Sequence, residues 1–184
     1  MKASRTATPP PDATLPPPHP GAPAPGTELP PHYRHCYGCG DEHPTGLHVH
    51  VTVGEGLSVD SKFTVTDVHQ GAGGLAHGGI LATAIDESLG YLLWLVGQPA
   101  VTGRLEVEYV RPVPVGSTLS IHAEVIGVDG RKIYTKAEGR IGDDVAVRSA
   151  GLFIMVPPEH FVKHGWTDQG VLDEAAARWN PYNP

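Results

Sequence analysis

The sequence predicts an α+β domain in which one long apolar helix is wrapped by a curved antiparallel β-sheet. Three observations support this fold class. Residues 76–96 form a run that is apolar on almost every side and contains a helix of about eighteen residues. Six segments have the length and apolar pattern of strands, two before the helix and four after it. Glycine-containing turns separate several neighbouring segments, which favours hairpins.

The ends of the helix are marked by glycine and proline. A glycine-rich loop over residues 71–74 precedes it, His77-Gly78-Gly79 opens it, and Gly97 with Pro99 closes it. Asp86 lies in the middle of this apolar run, where an unpaired carboxylate is energetically costly. A charge at such a position usually has a chemical function.

The strands are bounded by turn residues. Asp129-Gly130 lies between two alternating runs and is a strong hairpin signal. Pro112 and Pro114 stop a strand from running through, and Pro157-Pro158 ends the last one. The predicted strands are Leu47–Val53, Leu57–Thr66, Val101–Tyr109, Thr118–Val128, Arg131–Arg140 and Val145–Val156.

The chain of 184 residues is long enough for one domain with its own core. Residues 1–31 are predicted to be a disordered, proline-rich arm, because they are nearly free of large apolar side chains. Residues 32–160 form the domain, and residues 161–184 form a tail with a short helix expected over 170–179.

Charge and hydropathy exclude several classes of protein. The net charge of −7, with lysine and arginine scattered, argues against a nucleic-acid partner. Asp86 and Glu87 interrupt the longest apolar stretch, and the beginning lacks the apolar core of a secretory signal. We therefore expect a cytoplasmic protein without a membrane partner.

The two cysteines, Cys36 and Cys39, lie in Cys-Tyr-Gly-Cys-Gly with several histidines nearby. Zinc binding is one interpretation, but a structural zinc site normally needs four ligands with a second ordered spacing. Reduced cysteines that pack in a glycine-rich loop are the favoured interpretation. The sequence thus predicts no metal site and no cofactor.

Several motifs together resemble the hotdog-fold acyl-CoA thioesterases. They are His77-Gly78-Gly79, an aspartate nine residues after the histidine, Thr102 on the next strand, and Tyr109-Val110-Arg111-Pro112 at its end. Within that family the chain is most similar to the phenylacetyl-CoA thioesterase-like (PaaI-like) group, in the branch of the human carboxyl-terminal modulator protein. The resemblance covers roughly residues 36–157. It implies hydrolysis of an acyl-CoA to free acid and CoA.

Thioester hydrolysis needs an attacking oxygen and a polarised carbonyl group. Asp86 supplies a carboxylate that could act as base or nucleophile, and the free N–H of Gly78 at a helix start could stabilise the oxyanion. His77 could orient the thioester. The resemblance places Thr102 beside Asp86, where its hydroxyl would hold the attacking water.

Helix geometry adds an inference about assembly. Gly78 and Asp86 are eight residues apart, about 12 Å along a continuous helix, which is too far for both to act on one carbonyl. The dimers of the resembling family pair two antiparallel helices, so that Asp86 faces Gly78 and His77 of the other protomer. We therefore expect a homodimer with two shared sites, which could pair further into tetramers.

The acyl-CoA substrate needs partners for its phosphates and its pantetheine arm. Arg111, Arg131 and Lys132 are the cationic residues at a strand end and after a turn, although exposed turn charges are common without a ligand. Gly79 allows close approach to the backbone. The resemblance adds the strand around Glu108 and Val110.

The chain departs from the bacterial phenylacetyl-CoA enzymes at one position. Those enzymes carry an asparagine six residues before the histidine, where this chain has Gly71. The identity of the acyl group is therefore left open. A hotdog protein that binds acyl-CoA without hydrolysing it is the alternative to an enzyme.

Overall fold

The computed structural model describes residues 6–165 and contains seven strands and two α-helices. The strands are β1 Glu28–Leu29, β2 His50–Val53, β3 Ser58–Thr64, β4 Ala100–Tyr109, β5 Thr118–Asp129, β6 Lys132–Ile141 and β7 Asp144–Met155. The helices are α1 Gly78–Val96 and α2 Glu159–Lys163, and a 3₁₀ turn spans Asp67–His69. The six predicted strands correspond to β2–β7, and the predicted α+β fold class is confirmed.

All seven strands form one antiparallel sheet in the order β1-β2-β3-β5-β6-β7-β4. The turns at Gly130 and Gly142 have φ of 55° and 57°, a conformation that glycine adopts without a steric cost. In the described part of the chain, β4 pairs only with β7 and is therefore an edge strand. Its pairing is irregular between Thr102 and Arg104.

α1 crosses one face of this sheet and contacts strands β3 to β7. Its residues Ile85, Leu89 and Leu92 are completely buried, and each such side chain contributes about 1.5–3 kcal/mol relative to exposure. The helix ends at Gly97, whose left-handed backbone (φ 68°) lets its N–H donate to the Leu93 carbonyl.

One buried polar contact fixes the helix against the sheet. The hydroxyl of Ser88 donates to the Ala84 carbonyl at 2.7 Å, so it accepts a hydrogen bond from the Ser61 hydroxyl on β3 at 2.6 Å. Both side chains are buried. α1 also meets the length and composition requirement of a membrane-spanning helix, with a mean hydropathy of 1.4. A helix that is buried against a sheet meets the same requirement, so this property alone does not indicate a membrane span.

Residues 6–31 differ from the disordered arm expected from their composition. Their chain lies against the domain: β1 extends the sheet beyond β2, and Thr14 bridges to Val128. The N–H of His19 donates to the Leu95 carbonyl at 2.8 Å, which satisfies one of the free carbonyls at the end of α1. The correction has a physical reason, because a proline-rich segment without its own core can still be ordered by an existing surface.

The predicted boundary between the domain and the tail, between residues 160 and 161, falls inside α2, which spans Glu159–Lys163. The helix predicted over residues 170–179 lies outside the described residues.

Candidate active site

The start of α1 is built around the ring of His77. This residue is the N-cap of the helix, and its Nδ1 accepts a hydrogen bond from the Gly79 N–H at 2.9 Å. Because Nδ1 is an acceptor here, the proton of the neutral ring is on Nε2. His77 therefore has a donor available on the side of the ring away from the helix.

Gly78 lies between this cap and a tyrosine of β4. Its carbonyl accepts a hydrogen bond from the Tyr109 hydroxyl at 2.9 Å, while its N–H has no acceptor among the described residues. A Cβ added at Gly78 would lie 3.3 Å from the Tyr109 ring, so a side chain would be crowded there. The Gly78 N–H is thus a free donor at the positive end of α1.

Asp86 is partly buried, two turns further along the helix. Its Oδ1 accepts a hydrogen bond from the Thr102 hydroxyl of β4 at 3.0 Å. Burial raises the pKa of Asp86 and the negative charge of Glu87 adds to this, whereas the hydrogen bond from Thr102 opposes it. The site thus combines a carboxylate of increased basicity with a hydroxyl that holds it in place.

The structure does not bring all the predicted catalytic residues together within one chain. Asp86 contacts Thr102, and His77 contacts Gly79, but eight residues of continuous helix separate Gly78 from Asp86. That separation is about 12 Å along the axis. Within one chain these are two half-sites, one at each end of β4.

The residues predicted to bind CoA also fall into two groups. Glu108, Val110 and Arg111 lie at the Tyr109 end of β4, and Arg111 forms an ion pair with Asp144 at 2.9 Å. Lys132, next to Arg131 at the β5–β6 turn, pairs with Asp129 at 3.2 Å. The register places Lys132 beside Ile154 and Tyr109 beside Val147, so the two groups are about 23 Å apart along β7.

Gly71 lies against His77. A Cβ added at Gly71 would lie 3.0 Å from both Cα and Cδ2 of His77. A side chain at this position would therefore require His77 to shift by a few tenths of an ångström.

Two other residues at the site were not assigned a role from the sequence. Tyr109 was noted only as part of a motif, although its hydroxyl fixes the first residue of α1. Glu87, the neighbouring carboxylate on α1, points away from Asp86, towards His32 and the cysteine loop. Neighbouring residues on a helix point about 100° apart, so the sequence alone indicates that Asp86 and Glu87 face different directions.

A cavity of about 790 Å³ lies elsewhere, on the outer face of the sheet. Its lining residues come from β2, β3, β5, β6 and β7 and include none from α1 or β4. The cavity is therefore remote from Asp86.

Comparison with known proteins places the chain in a family. The sequence model of the thioesterase superfamily matches residues 73–147. Acyl-coenzyme A thioesterase THEM4 of Bos taurus is 37% identical over 92 residues, which is 49% of this chain and 38% of that protein. THEM4 of Xenopus laevis is 35% identical over 48% of this chain and 41% of that protein. The chain thus spans about two fifths of the length of these curated relatives.

Solved structures extend the match over more of the chain. A crystal structure of a thioesterase superfamily protein is 32% identical, with a TM-score of 0.63, covering 73% of this chain and 70% of that one. The PaaI protein of the E. coli phenylacetic acid degradation operon shares the fold at a TM-score of 0.57 and 20% identity, over 60% of this chain and 81% of that one. With this agreement of sequence and fold, the chain belongs to the thioesterase superfamily.

Proposed function

We propose that the protein is an acyl-CoA thioesterase that hydrolyses an acyl-coenzyme A to the free acid and CoA. The observation that carries the proposal is Asp86, a partly buried carboxylate on the central helix that Thr102 holds by a hydrogen bond. The curated relatives named acyl-coenzyme A thioesterases support it over the matched region.

In the proposed reaction, a carboxylate drives the attack on the thioester, and hydrogen-bond donors stabilise the negative charge that develops on the carbonyl oxygen. Asp86 either takes a proton from a water molecule or attacks the thioester carbon directly. The carbonyl oxygen becomes negative and is stabilised by the Gly78 N–H at the start of α1, with Nε2–H of His77 as a second donor. The carbon–sulfur bond then breaks, and the CoA thiolate leaves and takes up a proton, which Asp86 returns if it acted as the base. If Asp86 attacked directly, water then hydrolyses the acyl-aspartyl anhydride, which releases the free acid and restores the carboxylate.

A homodimer would join the two half-sites. Within residues 6–165, the side of β4 that faces away from β7 has no partner strand along its ten residues. A two-fold axis through the middle of β4 would pair it antiparallel with β4 of a second copy. The Thr102 end of one strand would then lie beside the Tyr109 end of the other. In this arrangement Asp86 of one protomer faces Gly78 and His77 of its partner.

The same pairing would bring the CoA groups together. Lys132 and Arg131 belong to the Thr102 end of the sheet, because Lys132 is beside Ile154, which pairs with Val101. Arg111 belongs to the Tyr109 end. In the proposed dimer, Arg111 of one protomer and the Arg131–Lys132 pair of the other flank one site and could share the phosphates of CoA.

The test is thiol release from short, medium, long and aromatic acyl-CoAs by the wild type, Asp86→Asn and Asp86→Ala. Asp60→Asn is the matched control, because Asp60 is an exposed carboxylate on β3 that pairs with His122. We expect one acyl class to turn over, both Asp86 variants to lose this turnover, and the control to retain it. Binding of an acyl-CoA without hydrolysis by the wild type would overturn the proposal in favour of a binding protein.

A further inference from the structure

A second cluster of reactive side chains lies on the other side of α1, where the proposed reaction does not use it. The segment over residues 32–39 passes over the helix and contacts Glu87. His32 Nδ1 is 2.7 Å from Glu87 Oε1, and Cys36 Sγ is 3.5 Å from Glu87 Oε2. Cys39 Sγ is 3.6 Å from His32 Nδ1.

The donor atoms are those that zinc prefers. Two thiols, one imidazole and one carboxylate make a Cys₂-His-carboxylate set, and the reactive atoms of His32, Cys39 and Glu87 all lie within 4.8 Å of one another. Cys36 contacts the same carboxylate, with its Sγ 3.5 Å from Glu87 Oε2, and is the fourth donor of the set.

The spacing of the donors is close to that around a tetrahedral zinc ion. Zn–S bonds of about 2.3 Å and Zn–N or Zn–O bonds of about 2.1 Å give donor–donor separations of about 3.3–3.8 Å at tetrahedral angles. The separations of 3.6 Å between Cys39 and His32 and of 3.5 Å between Cys36 and Glu87 fall in this range. The hydrogen-bonded pair of His32 and Glu87, at 2.7 Å, would open by about 0.6 Å to admit the ion.

The backbone around the cysteines is shaped for this close approach. A Cβ added at Gly38 would clash with the Glu87 carboxylate, and one at Gly40 would clash with the backbone of Arg34 and Cys36. The N–H of Gly40 donates to the Cys36 carbonyl at 2.8 Å, which closes the loop around the two sulfurs. Only glycine at these two positions lets the thiols and the carboxylate meet.

We propose that His32, Cys36, Cys39 and Glu87 bind one Zn²⁺ ion in a structural site that fastens the cysteine loop to α1. Four protein ligands leave no open position, so this ion would not take part in hydrolysis. On binding, the two thiols release their protons to solvent and coordinate as thiolates. The site would anchor the helix at Glu87, next to Asp86, and it does not depend on the proposed activity.

Sequence spacing alone did not indicate this site. It offered two cysteines but no second pair of ligands at an ordered spacing. The missing carboxylate is Glu87, which α1 brings to the loop from 51 residues beyond Cys36. The ligand set exists only once the segment has crossed the helix.

The first measurement is the metal content of the purified full chain by mass spectrometry of the elements. We expect one zinc per chain in the wild type and its loss in Cys39→Ser, Cys36→Ser and Glu87→Gln. His43→Gln and Asp86→Asn are the matched controls, since one changes a histidine of the same loop and the other the adjacent carboxylate. Both should retain zinc, and Asp86→Asn should do so while losing hydrolysis.

A second measurement needs no variant. Zinc is removed from the wild type with a chelator, and Co²⁺ is added while the absorption spectrum is recorded. Tetrahedral thiolate coordination should give sulfur-to-cobalt charge-transfer bands, and chelation should lower the thermal unfolding midpoint. The proposal is overturned if the wild type holds no more zinc than Cys39→Ser and shows no such bands, or if freshly purified protein contains a Cys36–Cys39 disulfide in place of metal.

Discussion

Asp86 is the residue on which the proposed chemistry depends, and its environment sets the pH at which it works. Its pKa is raised by burial, so on acidification the proposed activity should fall at a higher pH than it would with an unperturbed aspartate. Thr102→Val removes the hydrogen bond that favours the charged form and should raise the pKa further. We expect the acid limb of the kcat/KM profile to move to higher pH in this variant.

The control for that shift is Thr64→Val, which removes an exposed hydroxyl pair with Thr118 on the sheet. Its profile should coincide with that of the wild type. An unchanged acid limb in Thr102→Val would mean that Asp86 is not the group whose ionisation limits the rate.

The charged Asp86 side chain should lower the stability of the folded protein at neutral pH. A carboxyl group whose pKa is higher in the folded than in the unfolded state contributes stability at low pH, and this contribution is lost as the pH rises through the folded-state pKa. At about pH 7 the wild type therefore carries a buried charge that Asp86→Asn removes. We expect this variant to unfold at a higher temperature than the wild type near pH 7, with a smaller gap near pH 4.

Asp143→Asn, in the exposed turn before β7, is the matched control and should leave the midpoint unchanged at both pH values. Equal midpoints for Asp86→Asn and the wild type at neutral pH would show that the carboxylate is well solvated in solution.

The single residues that the sequence could identify are those whose chemistry conflicts with their surroundings. Asp86 was identifiable because a charge in an apolar helix needs a reason, and Gly78 because a helix start has free donors. Tyr109 and Glu87 were not, since their partners are distant in the chain: Gly78 for Tyr109, and His32 for Glu87. Such pairs arise from the fold and have no local pattern.

At the scale of elements, the hydrogen bond from Tyr109 ties the end of β4 to the start of α1. Tyr109→Phe should reduce kcat/KM about 2- to 10-fold, because one hydrogen bond contributes about 0.5–1.5 kcal/mol and its loss frees the first turn that carries the oxyanion donor. Tyr33→Phe, a change in the segment over residues 32–39, should retain full activity. A Tyr109→Phe enzyme with wild-type kinetics would show that the first turn is fixed by other contacts.

The N-terminal segment is the element for which sequence and structure differ. Composition correctly indicated that residues 6–31 have no core of their own, but composition does not report the hydrogen bonds offered by the sheet edge and the end of α1. Deleting residues 1–25 should lower the free energy of unfolding by about 1.5–4.5 kcal/mol, because the three backbone hydrogen bonds of Thr14 and His19 to β5 and α1 are lost. Urea unfolding of the truncated and full chains measures this, and equal stability would favour the disordered arm.

At the scale of the whole molecule, the proposed shared site makes a prediction about mixed dimers. Asp86→Asn removes the carboxylate, and Gly78→Pro removes the N–H donor. Proline is well tolerated at the first position of a helix, and His77 already has the extended backbone (ψ 136°) that a residue before proline requires. The two variants therefore remove one half-site each, and the exposed ring of Tyr109, 3.3 Å from a Cβ at position 78, has to shift slightly to admit the proline.

When the two inactive variants are mixed, subunit exchange should restore activity. In a dimer of one Asp86→Asn and one Gly78→Pro protomer, one site receives both defects and the other receives an intact Asp86 and an intact Gly78 N–H. Random exchange makes half of the dimers mixed, so the activity should approach about one quarter of the wild-type value. A mixture of Asp86→Asn and Asp86→Ala, in which every site lacks the carboxylate, should stay inactive. If the first mixture also stays inactive while exchange is shown to occur, the site is not shared, and Asp86 and Gly78 cannot act on the same thioester.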